Sequence, residues 1–526
     1  MPVADNGEDL FAYTSGRWLT NEKQQLEQRY VKFNIDSLCS QAASLFSLSA
    51  RCVRIDKIEG NFSKAFILTM DDGNEVVAKI PCLNAGAPRL TTESEVATLK
   101  FLRSHLSIPI PEVYAWCSDT SNPVGAECIL MEKVHGVSLT ERWDTMNTLQ
   151  RYKLIDGILQ MEKELQRLQL PAYGSLFLQD TLPSSYHRCH LPTSLDPDRL
   201  FCIGPSFDRS YTASIGTSQL DAGPWTSMME FALSAPRREL NRIAEKSDDV
   251  QHDLNKFGNN QSIKEYSDLL EKTLSILPAL SQHPGVQESA TSTIWHTDLH
   301  LGNIFVSPDD PTKIEGIIDW QSAEAAPLFI QARFPDFLRP PRSYRSGAEV
   351  PKLPDNFEEL DPDEKEEAKK EEKLAAQSKY YEMSCLMYNK PVYNAMALDR
   401  RLWGPFTRCQ LPSNRSLVPL RSSLIRIAQD WELLGLSDSC PFNFSQEELK
   451  RHEEQVEFYT DTVYLWDLVK EQLGTDNSGW VPLEQWESTN KMNGYLFDMY
   501  IETMSEELPA KEAAKRWPFV PDAWLP

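Results

Sequence analysis

The sequence "IWHTDLHLGN", residues 294–303, places two histidines, an aspartate and an asparagine behind an apolar start. His296, Asp298 and His300 alternate as metal ligands can at the end of a strand, which would suit a metal-dependent hydrolase. Asp298 and Asn303 stand five residues apart, as the base and the metal ligand do in enzymes that transfer phosphoryl groups. The rest of the chain has to discriminate between these two chemistries.

The segment that follows, "IFVSPDDPTKIEGIIDW", predicts a strand, a turn and a second strand that ends at Asp319. A hairpin of this length brings its open ends together, so Asp319 can approach Asn303 and Asp298. Mg²⁺ binds through one or two carboxylates together with substrate phosphates and water. Asn303 and Asp319 suit such a site, which does not need the histidines.

Upstream, "RCVRIDKIEGNFSKAFILTMDDGNEVVAKIP" alternates β-branched and apolar residues around an Asp-Asp-Gly-Asn turn. This pattern predicts a small antiparallel sheet, with Lys79 in an apolar strand. The next segment places apolar residues on one helical face and stops at prolines, so a single helix should follow the third strand. Those apolar residues are Val96, Leu99, Leu102 and Leu106.

Phosphoryl transfer needs a carboxylate to accept the proton of the acceptor, metal on the nucleotide phosphates, and a lysine aimed by an acidic residue. Asp298, the pair Asn303 and Asp319, and Lys79 supply the first three parts. Glu95 in the predicted helix could form the ion pair with the lysine, and Glu93 competes with it for that role.

In this combination and order, "VVAKI", "SEVATLKFL", "HTDLHLGN" and "IIDW" resemble the aminoglycoside phosphotransferase and choline kinase-like superfamily. The resemblance implies an α+β, protein kinase-like bilobal fold. Its N-lobe is a small antiparallel β-sheet with one helix, and its C-lobe is large and mainly helical. The segments "LFCIGPS" and "IIDWQSAEAAPLFIQARFPDFL" further resemble a fungal branch of this superfamily that is linked to mitochondrial inheritance.

The resemblance also implies roles for individual residues. Asp298 would be the catalytic base, Asn303 and Asp319 the Mg²⁺ ligands, Lys79 the ligand of the ATP phosphates and Glu95 the partner of that lysine. ATP and Mg²⁺ are therefore the expected cofactors.

Two further segments would contact the nucleotide. The turn "EGNFSKAF", residues 59–66, would cover the phosphates, because Gly60 permits a positive φ and Asn61 and Ser63 can donate hydrogen bonds. It departs from the fuller GxGxxG pattern of protein kinases. The segment "LMEKVHG" resembles a hinge, with the backbone of Met131 to Lys133 facing adenine.

The patterns divide the chain into three regions. They are an N-terminal helical extension (1–45), an N-lobe on the nucleotide side (46–134) and a helical C-lobe (135–526). Within the C-lobe lie a catalytic loop (294–306), a metal-binding segment (314–320) and a charged insertion (about 339–379). In the insertion, Asp361 can cap a helix that starts at Pro362. We interpret the insertion as a solvated helix or insertion without a site, with a charged docking surface as the alternative.

Composition excludes several classes of protein. The formal charge of −24 disfavours nucleic-acid binding, and no apolar run approaches the length of a transmembrane helix. Ten cysteines without a CxxC pair indicate reduced thiols. "HRCH", residues 187–190, lacks a second ligand pair at zinc spacing and is interpreted as a loop. The N-terminal residues lack the features of a transit peptide, which favours the cytoplasm, whereas the resemblance leaves mitochondria possible.

The leading hypothesis is an enzyme that transfers the γ-phosphoryl group of MgATP to a hydroxyl of a small molecule. His296 and His300 would then hold the loop by hydrogen bonds and would not bind metal. One alternative is a nucleotide-binding pseudokinase or scaffold linked to mitochondrial function. The other is the metal-dependent hydrolase with His296, Asp298 and His300 as ligands. The acceptor and any protein partners are not identified by the sequence.

Overall fold

The computed structural model describes most of the chain. The described residues are 7–47, 49–207, 222–255, 261–411, 416–436, 439–521 and 524. Six residues of the predicted N-terminal extension and several short segments of the predicted C-lobe therefore lie outside the described part.

The N-terminal segment connects the sheet of the small lobe with the C-terminal helices. Its elements are α1 (Glu8–Phe11), β1 (Gly16–Trp18), α2 (Glu22–Arg29) and α3 (Ile35–Ser44). Strand β1 pairs antiparallel with Trp480–Pro482, near the other end of the chain. The backbone N–H groups of Thr14 and Ser15 donate to the carboxylate of Glu59 in the sheet. The segment thus contacts both lobes, and it contains a strand that the sequence pattern did not predict.

The small lobe is a five-stranded antiparallel sheet with one helix. Its elements are β2 (Cys52–Glu59), β3 (Ser63–Met70), β4 (Glu75–Pro81), α4 (Leu90–His105), β5 (Val113–Cys117) and β6 (Cys128–Glu132). The strands lie in the order β2-β3-β4-β6-β5. The predicted hairpin joins β3 to β4, and its Gly73 has φ +88°, a conformation that favours glycine.

Alternation along the strands gives the sheet two distinct faces. Phe66, Leu68, Val76 and Ala78 are fully buried in a cluster that also contains residues of α3. Lys79 is adjacent to Ala78 in β4, so its side chain points to the opposite face. This geometry directs the lysine towards the interior of the molecule on the side of α4.

The large lobe is mainly helical, with short strands. Its described helices are α5 (Thr148–Arg167), α6 (Met228–Glu245), α7 (Ser247–Asn255), α8 (Ile263–Gln282), α9 (Pro284–Glu288), α10 (Leu328–Gln331), α11 (Pro362–Tyr388), α12 (Lys390–Met396), α13 (Arg400–Thr407), α14 (Val418–Gln429), α15 (Gln446–Leu473), α16 (Trp486–Met504) and α17 (Ala510–Ala514). Its strands are β7 (Val137–Ser138), β8 (Ser175–Leu178), β9 (Cys189–His190), β10 (Phe201–Gly204), β11 (Ser292–Ile294), β12 (Ile304–Val306), β13 (Ile314–Ile317), β14 (Ala325–Pro327) and β15 (Trp480–Pro482). The predicted α+β, kinase-like fold of two lobes is confirmed. Among the described helices, none has both the length and the apolar composition to span a membrane.

The hairpin after the polar loop at residues 297–303 forms as its sequence predicts. Strands β12 and β13 pair antiparallel, with Ile304 opposite Ile317. Just beyond this pair, the N–H of Ile318 donates to the carbonyl of Asn303 at 3.0 Å. The open end of the hairpin therefore brings Asn303 close to the residue that precedes Asp319.

The charged insertion agrees with its prediction except at its C-terminal end. Asp361 caps α11 by accepting hydrogen bonds from two backbone N–H groups, and Pro362 is the first helical residue, as predicted. The C-terminal half of α11, however, buries Ser378, Tyr381 and Cys385 completely and packs against α5. Most of this half lies beyond the predicted insertion, which ends at about residue 379. Within the insertion only residue 375 and residues 377–379 are buried, so the interpretation as a solvated helix is wrong for this last turn alone.

The buried contact between these two helices joins a tyrosine to a carboxyl group. The hydroxyl of Tyr381 in α11 donates to Oε2 of Glu162 in α5 at 2.7 Å. Burial raises the pKa of Glu162 from 4.5 to about 8, with only partial compensation by the tyrosine hydroxyl. Glu162 is therefore mostly protonated in the folded protein at neutral pH.

The raised pKa of Glu162 predicts that the free energy of unfolding depends on pH, and Glu162→Gln should remove this dependence. Above about pH 4.5 the unfolded chain loses the proton that the folded chain keeps until about pH 8. The carboxyl group of Glu162 thus makes its full contribution to stability below pH 4.5. Between pH 4.5 and 8 this contribution falls by up to about 5 kcal/mol, at roughly 1.4 kcal/mol per pKa unit.

Urea unfolding of the two proteins between pH 5 and 8 measures this effect. We expect the variant to gain stability over the wild type as the pH rises. The control is Glu271→Gln, at an exposed carboxyl of α8. A difference between wild type and Glu162→Gln that stays constant with pH would contradict the assigned protonation.

Candidate active site

The side chain of Lys79 connects three elements of the molecule. Its Nζ donates to Oε1 of Glu95 in α4 at 2.6 Å and to Oδ1 of Asp319, after β13, at 2.8 Å. Less than a tenth of Lys79 and of Glu95 is exposed, whereas the Asp319 side chain is 40% exposed. The predicted lysine, its acid and a predicted metal ligand therefore meet at one point between the lobes.

The charges of Lys79, Glu95 and Asp319 depend on each other. Burial lowers the pKa of Lys79, but the carboxylates of Asp319 and Glu95 outweigh it and raise the pKa above its ordinary value. Burial also raises the pKa of Glu95, and the charge of Lys79 opposes that rise. The lysine therefore carries a full positive charge at neutral pH.

The competing acid, Glu93, is held elsewhere. Its Oε1 accepts hydrogen bonds from Nε of Arg89 and from the hydroxyl of Ser118, both at 2.9 Å. Glu93 is only 1% exposed, and these contacts hold its Oε1 away from Lys79. The two acids are two residues apart on a helix and therefore project in different directions. The structure thus places Glu95 and not Glu93 at the lysine.

Asp319 has an unusual backbone conformation. Its φ is +62°, in the left-handed region, where a residue other than glycine costs on the order of 1–3 kcal/mol. The following Trp320 is 1% exposed, and its indole N–H donates to the carbonyl of Ile317 at 3.1 Å. This anchored indole holds the turn and directs the Asp319 carboxylate towards Lys79.

The loop at residues 297–303 leaves the Asp298 carboxylate open. Asp298 is exposed, and no described residue forms a hydrogen bond or an ion pair with its side chain. Its backbone carbonyl accepts hydrogen bonds from the N–H of His300 at 3.1 Å and from Nδ2 of Asn303 at 3.0 Å. The loop is thus fixed through its backbone, while its acidic group faces solvent.

The same contact sets the orientation of Asn303. Because its Nδ2 donates to Asp298, its Oδ1 faces the other way. Asn303 is 6% exposed, and Oδ1 has no donor among the described residues. An amide oxygen with free lone pairs beside the Asp319 strand end is a suitable ligand for Mg²⁺.

Both histidines of the loop form hydrogen bonds with other residues of the protein. Nε2 of His296 donates to the carbonyl of Ile318 at 2.9 Å, and the ring packs edge-on against Trp320. Burial lowers the pKa of His296, so it is neutral at pH 7. Nδ1 of His300 accepts from the N–H of Gly302 at 3.0 Å.

These contacts bear on the hydrolase alternative. Within the described part of the chain, no three His, Cys, Asp or Glu side chains are arranged to hold a metal ion. His296 and His300 take part in hydrogen bonds that orient the loop, which is the structural role predicted for them. His190 of "HRCH" lies in the short strand β9 and not in a loop as predicted, and it is within hydrogen-bonding distance of Gln179, at 3.2 Å.

The turn predicted to cover the phosphates lies at the end of the sheet near Lys79. Its N–H at Gly60 donates to the carbonyl of Ser63 at 3.0 Å, and Asn61 is exposed. Ser63 is opposite Pro81 in the β3–β4 ladder, two residues beyond Lys79. Gly60 does not have the positive φ that glycine permits, so its backbone freedom is not used here.

The predicted hinge, Met131 to Lys133, fits the structure only at its C-terminal end. Met131 lies inside β6, opposite Val77 of β4 and Val113 of β5, in the interior of the sheet. Lys133 follows the end of this strand, and its backbone forms no backbone hydrogen bond with the described residues. Its ammonium contacts the carboxylate of Glu75. The backbone open to a ligand therefore begins at Lys133 and not at Met131.

Sequence reasoning missed the residues that hold this arrangement. Ser118 and Arg89 capture Glu93, and Trp320 with Ile318 fixes the turn at Asp319. Trp320 directly follows the predicted metal ligand Asp319, so the sequence itself indicated a residue that could hold this turn. Ser118 carries no such signal, because it is distant from Glu93 in sequence.

Comparison with known proteins yields one family and two groups of relatives. The pattern of the phosphotransferase enzyme family matches residues 54–330, more than half of the chain. A subtelomeric hrmA-associated cluster protein of Aspergillus fumigatus is 31% identical over 482 residues, which cover 85% of this chain and 92% of that protein. The altered inheritance of mitochondria protein 9, mitochondrial, of Candida albicans is 22% identical over 563 residues, covering 93% and 86%.

Solved structures are similar at a lower level. The gentamicin complex of aminoglycoside phosphotransferase APH(2")-IIa has a TM-score of 0.37 and 12% identity, and covers 76% of this chain and 97% of that chain. A complex of aminoglycoside phosphotransferase APH(4)-Ia with AMP-PNP and hygromycin B has a TM-score of 0.35 and 14% identity, covering 76% and 99%.

The buried ion pair predicts a strong effect of Lys79→Met on stability. The substitution leaves Glu95 buried without its cation, which should cost about 3–5 kcal/mol in unfolding free energy. The double variant Lys79→Met, Glu95→Leu removes both charges and should recover most of the loss. Urea unfolding of the single and double variants measures the difference. A single variant as stable as the wild type would show that Glu95 is neutral or solvated in the folded protein.

Proposed function

The chain belongs to the phosphotransferase enzyme family, and we propose that it transfers the γ-phosphoryl group of MgATP to a hydroxyl of a small molecule. The family match confirms the resemblance that its motifs carry. The observation that most supports the proposal is the contact of Lys79 with both Glu95 and Asp319, close to an open Asp298 carboxylate. These are the groups that phosphoryl transfer requires.

In this proposal Lys79 binds phosphate oxygens of the nucleotide. Its ammonium is charged and nearly buried, and Glu95 restricts its direction. Water is largely excluded there, so the attraction between the ammonium and a phosphate is less screened than at a surface. Lys133 and the backbone after it would line the adenine side.

Asn303 and Asp319 are the proposed ligands of Mg²⁺. The free Oδ1 of Asn303 and the partly exposed carboxylate of Asp319 fit an ion that prefers oxygen ligands. When bound with ATP, the ion would neutralise negative charge on the phosphates. The left-handed backbone at Asp319 holds its carboxylate in place before the ligand arrives.

Asp298 is the proposed general base. The acceptor hydroxyl forms a bond to the γ-phosphorus, the bond between that phosphorus and the bridging oxygen breaks, and ADP leaves. The proton of the hydroxyl moves to Asp298. The carboxylate is open to solvent, while its backbone is fixed by Asn303 and His300, so it can receive an acceptor without a change of the loop.

A mitochondrial location is a further proposal. It is supported by the names of the relatives from Candida albicans and Saccharomyces cerevisiae, which describe those proteins as mitochondrial. Fractionation of cells that express the full-length protein tests it, with recovery outside mitochondria as the contrary result.

The variant Asp298→Asn tests the chemical step. We expect the affinity for MgATP to be unchanged and the transfer rate to fall by about 10²–10⁴-fold, because general-base catalysis contributes that factor. Transfer of labelled γ-phosphate into a small-molecule extract, together with calorimetric titration with MgATP, measures both quantities.

The matched control is Asp309→Asn, at an exposed aspartate in the turn between β12 and β13. Equal turnover of the wild type and Asp298→Asn would remove Asp298 from the mechanism. Absence of product from any enzyme form, with MgATP still bound, would favour a nucleotide-binding scaffold.

The variant Asp319→Ala tests the binding step. We expect the dissociation constant for MgATP to rise by about tenfold or more, equivalent to roughly 1.4 kcal/mol. Lys79 keeps Glu95 as its partner, so the fold should remain intact. Titration in the presence and absence of Mg²⁺ measures the effect, and an unchanged dissociation constant would contradict the proposed ligand role.

A further inference from the structure

A short segment beside the loop of Asp298 carries a net positive charge, opposite in sign to that of the whole protein. Residues 333–345 contain four arginines and one aspartate, in a chain with a formal charge of −24. Arg333 and Arg339 are both exposed. A basic strip in so acidic a protein is a local feature that the overall composition does not predict.

The strip is attached to the loop that carries Asp298. The N–H of Asp336 donates to the carbonyl of Leu299 at 3.1 Å. Leu338 is fully buried, and Phe337 packs edge-on against Trp143 with ring centroids 4.9 Å apart. These anchors hold the segment against the loop, so its arginines keep a defined position relative to Asp298.

A small cavity of about 10 Å³ lies between the strip and the loop. Thr297 and Leu299, the two neighbours of Asp298, line this cavity together with Arg333 and Asp336. Arg333 and the two residues that flank the proposed base therefore line one cavity.

The charges around the cavity are compensated except at Arg333. Asp336 pairs with Arg339 at 2.8 Å. Glu162 also lines the cavity and is mostly protonated at neutral pH, because burial raises its pKa to about 8. Arg333 has no ion pair and no side-chain hydrogen bond with the residues that the structure describes. One uncompensated positive charge thus lies beside the loop that carries Asp298.

We propose that the acceptor carries an oxyanion, a carboxylate or a phosphate, which Arg333 binds while the acceptor hydroxyl meets Asp298. The inference rests on the proposed phosphotransferase activity and names its class of acceptor. A guanidinium binds carboxylate and phosphate oxygens through two parallel hydrogen bonds, which would also orient the hydroxyl. A cationic acceptor would instead be repelled by Arg333.

The first experiment separates a small-molecule cell extract by ion exchange into anionic, neutral and cationic fractions. Each fraction is incubated with the full-length protein and γ-labelled MgATP, with Asp298→Asn as the inactive reference. We expect a labelled product from the anionic fraction. Prior phosphatase treatment of that fraction, followed by removal of the phosphatase, should abolish the product if the oxyanion is a phosphate ester and preserve it if it is a carboxylate.

The outcomes test the phosphotransferase activity and the anionic class of acceptor separately. A product from the neutral or the cationic fraction alone would keep the phosphotransferase and overturn the anionic acceptor. No product from any fraction, with MgATP bound, would overturn the phosphotransferase itself.

The second experiment tests the residue. Arg333→Ala should lower the rate at limiting amounts of the active fraction by about tenfold or more, as expected for the loss of charge-assisted hydrogen bonds. Excess fraction should restore most of the rate, and Arg333→Lys should retain part of it. MgATP affinity should not change.

The matched control is Arg342→Ala. Arg342 belongs to the same strip, but its side chain is 90% exposed and pairs with Asp467 of α15 at 3.5 Å. We expect this variant to resemble the wild type. Equal rates for Arg333→Ala and the wild type at limiting fraction would overturn the role of Arg333.

Discussion

The ammonium of Lys79 is the contact on which the arrangement of the site depends. It is nearly buried, and burial lowers its pKa, but the two carboxylates that it meets outweigh this effect and keep it charged. One comes from the helix of the small lobe and the other from a strand end of the large lobe. Charge compensation in a desolvated position therefore ties together the lobes and aligns the groups that phosphoryl transfer uses.

A second constraint acts on the backbone around Asp319. The left-handed conformation there is unfavourable in itself and persists because neighbouring contacts impose it. Trp320 fills the core below the turn, His296 donates to the carbonyl of Ile318, and the N–H of Ile318 donates to Asn303. A neutral histidine and a buried indole thus hold both proposed metal ligands without being ligands themselves.

The large lobe adds features that the family pattern, which ends at residue 330, does not cover. The strip at residues 333–345 brings positive charge to the loop of Asp298, and α11 packs its second half on α5. Tyr381 and Glu162 meet at that interface, close to the cavity below the loop. In this protein the region beyond the shared family core thus shapes the surroundings of the proposed base.

Local chemistry in the sequence was sufficient for the β3–β4 and β12–β13 hairpins and the cap at Asp361, because alternation, turn residues and capping act between near neighbours in the chain. The two-lobed fold was predicted from the combination of motifs that resembles a known family. The same motifs identified Lys79, Asp298, Asn303 and Asp319 as the candidate site. The tertiary structure alone decided that Glu95 and not Glu93 meets the lysine, that the second half of α11 is buried, and that Arg333 lies beside the loop. These outcomes depend on partners such as Ser118 and Tyr381 that lie far away in sequence, and packing in three dimensions determines which of them meet.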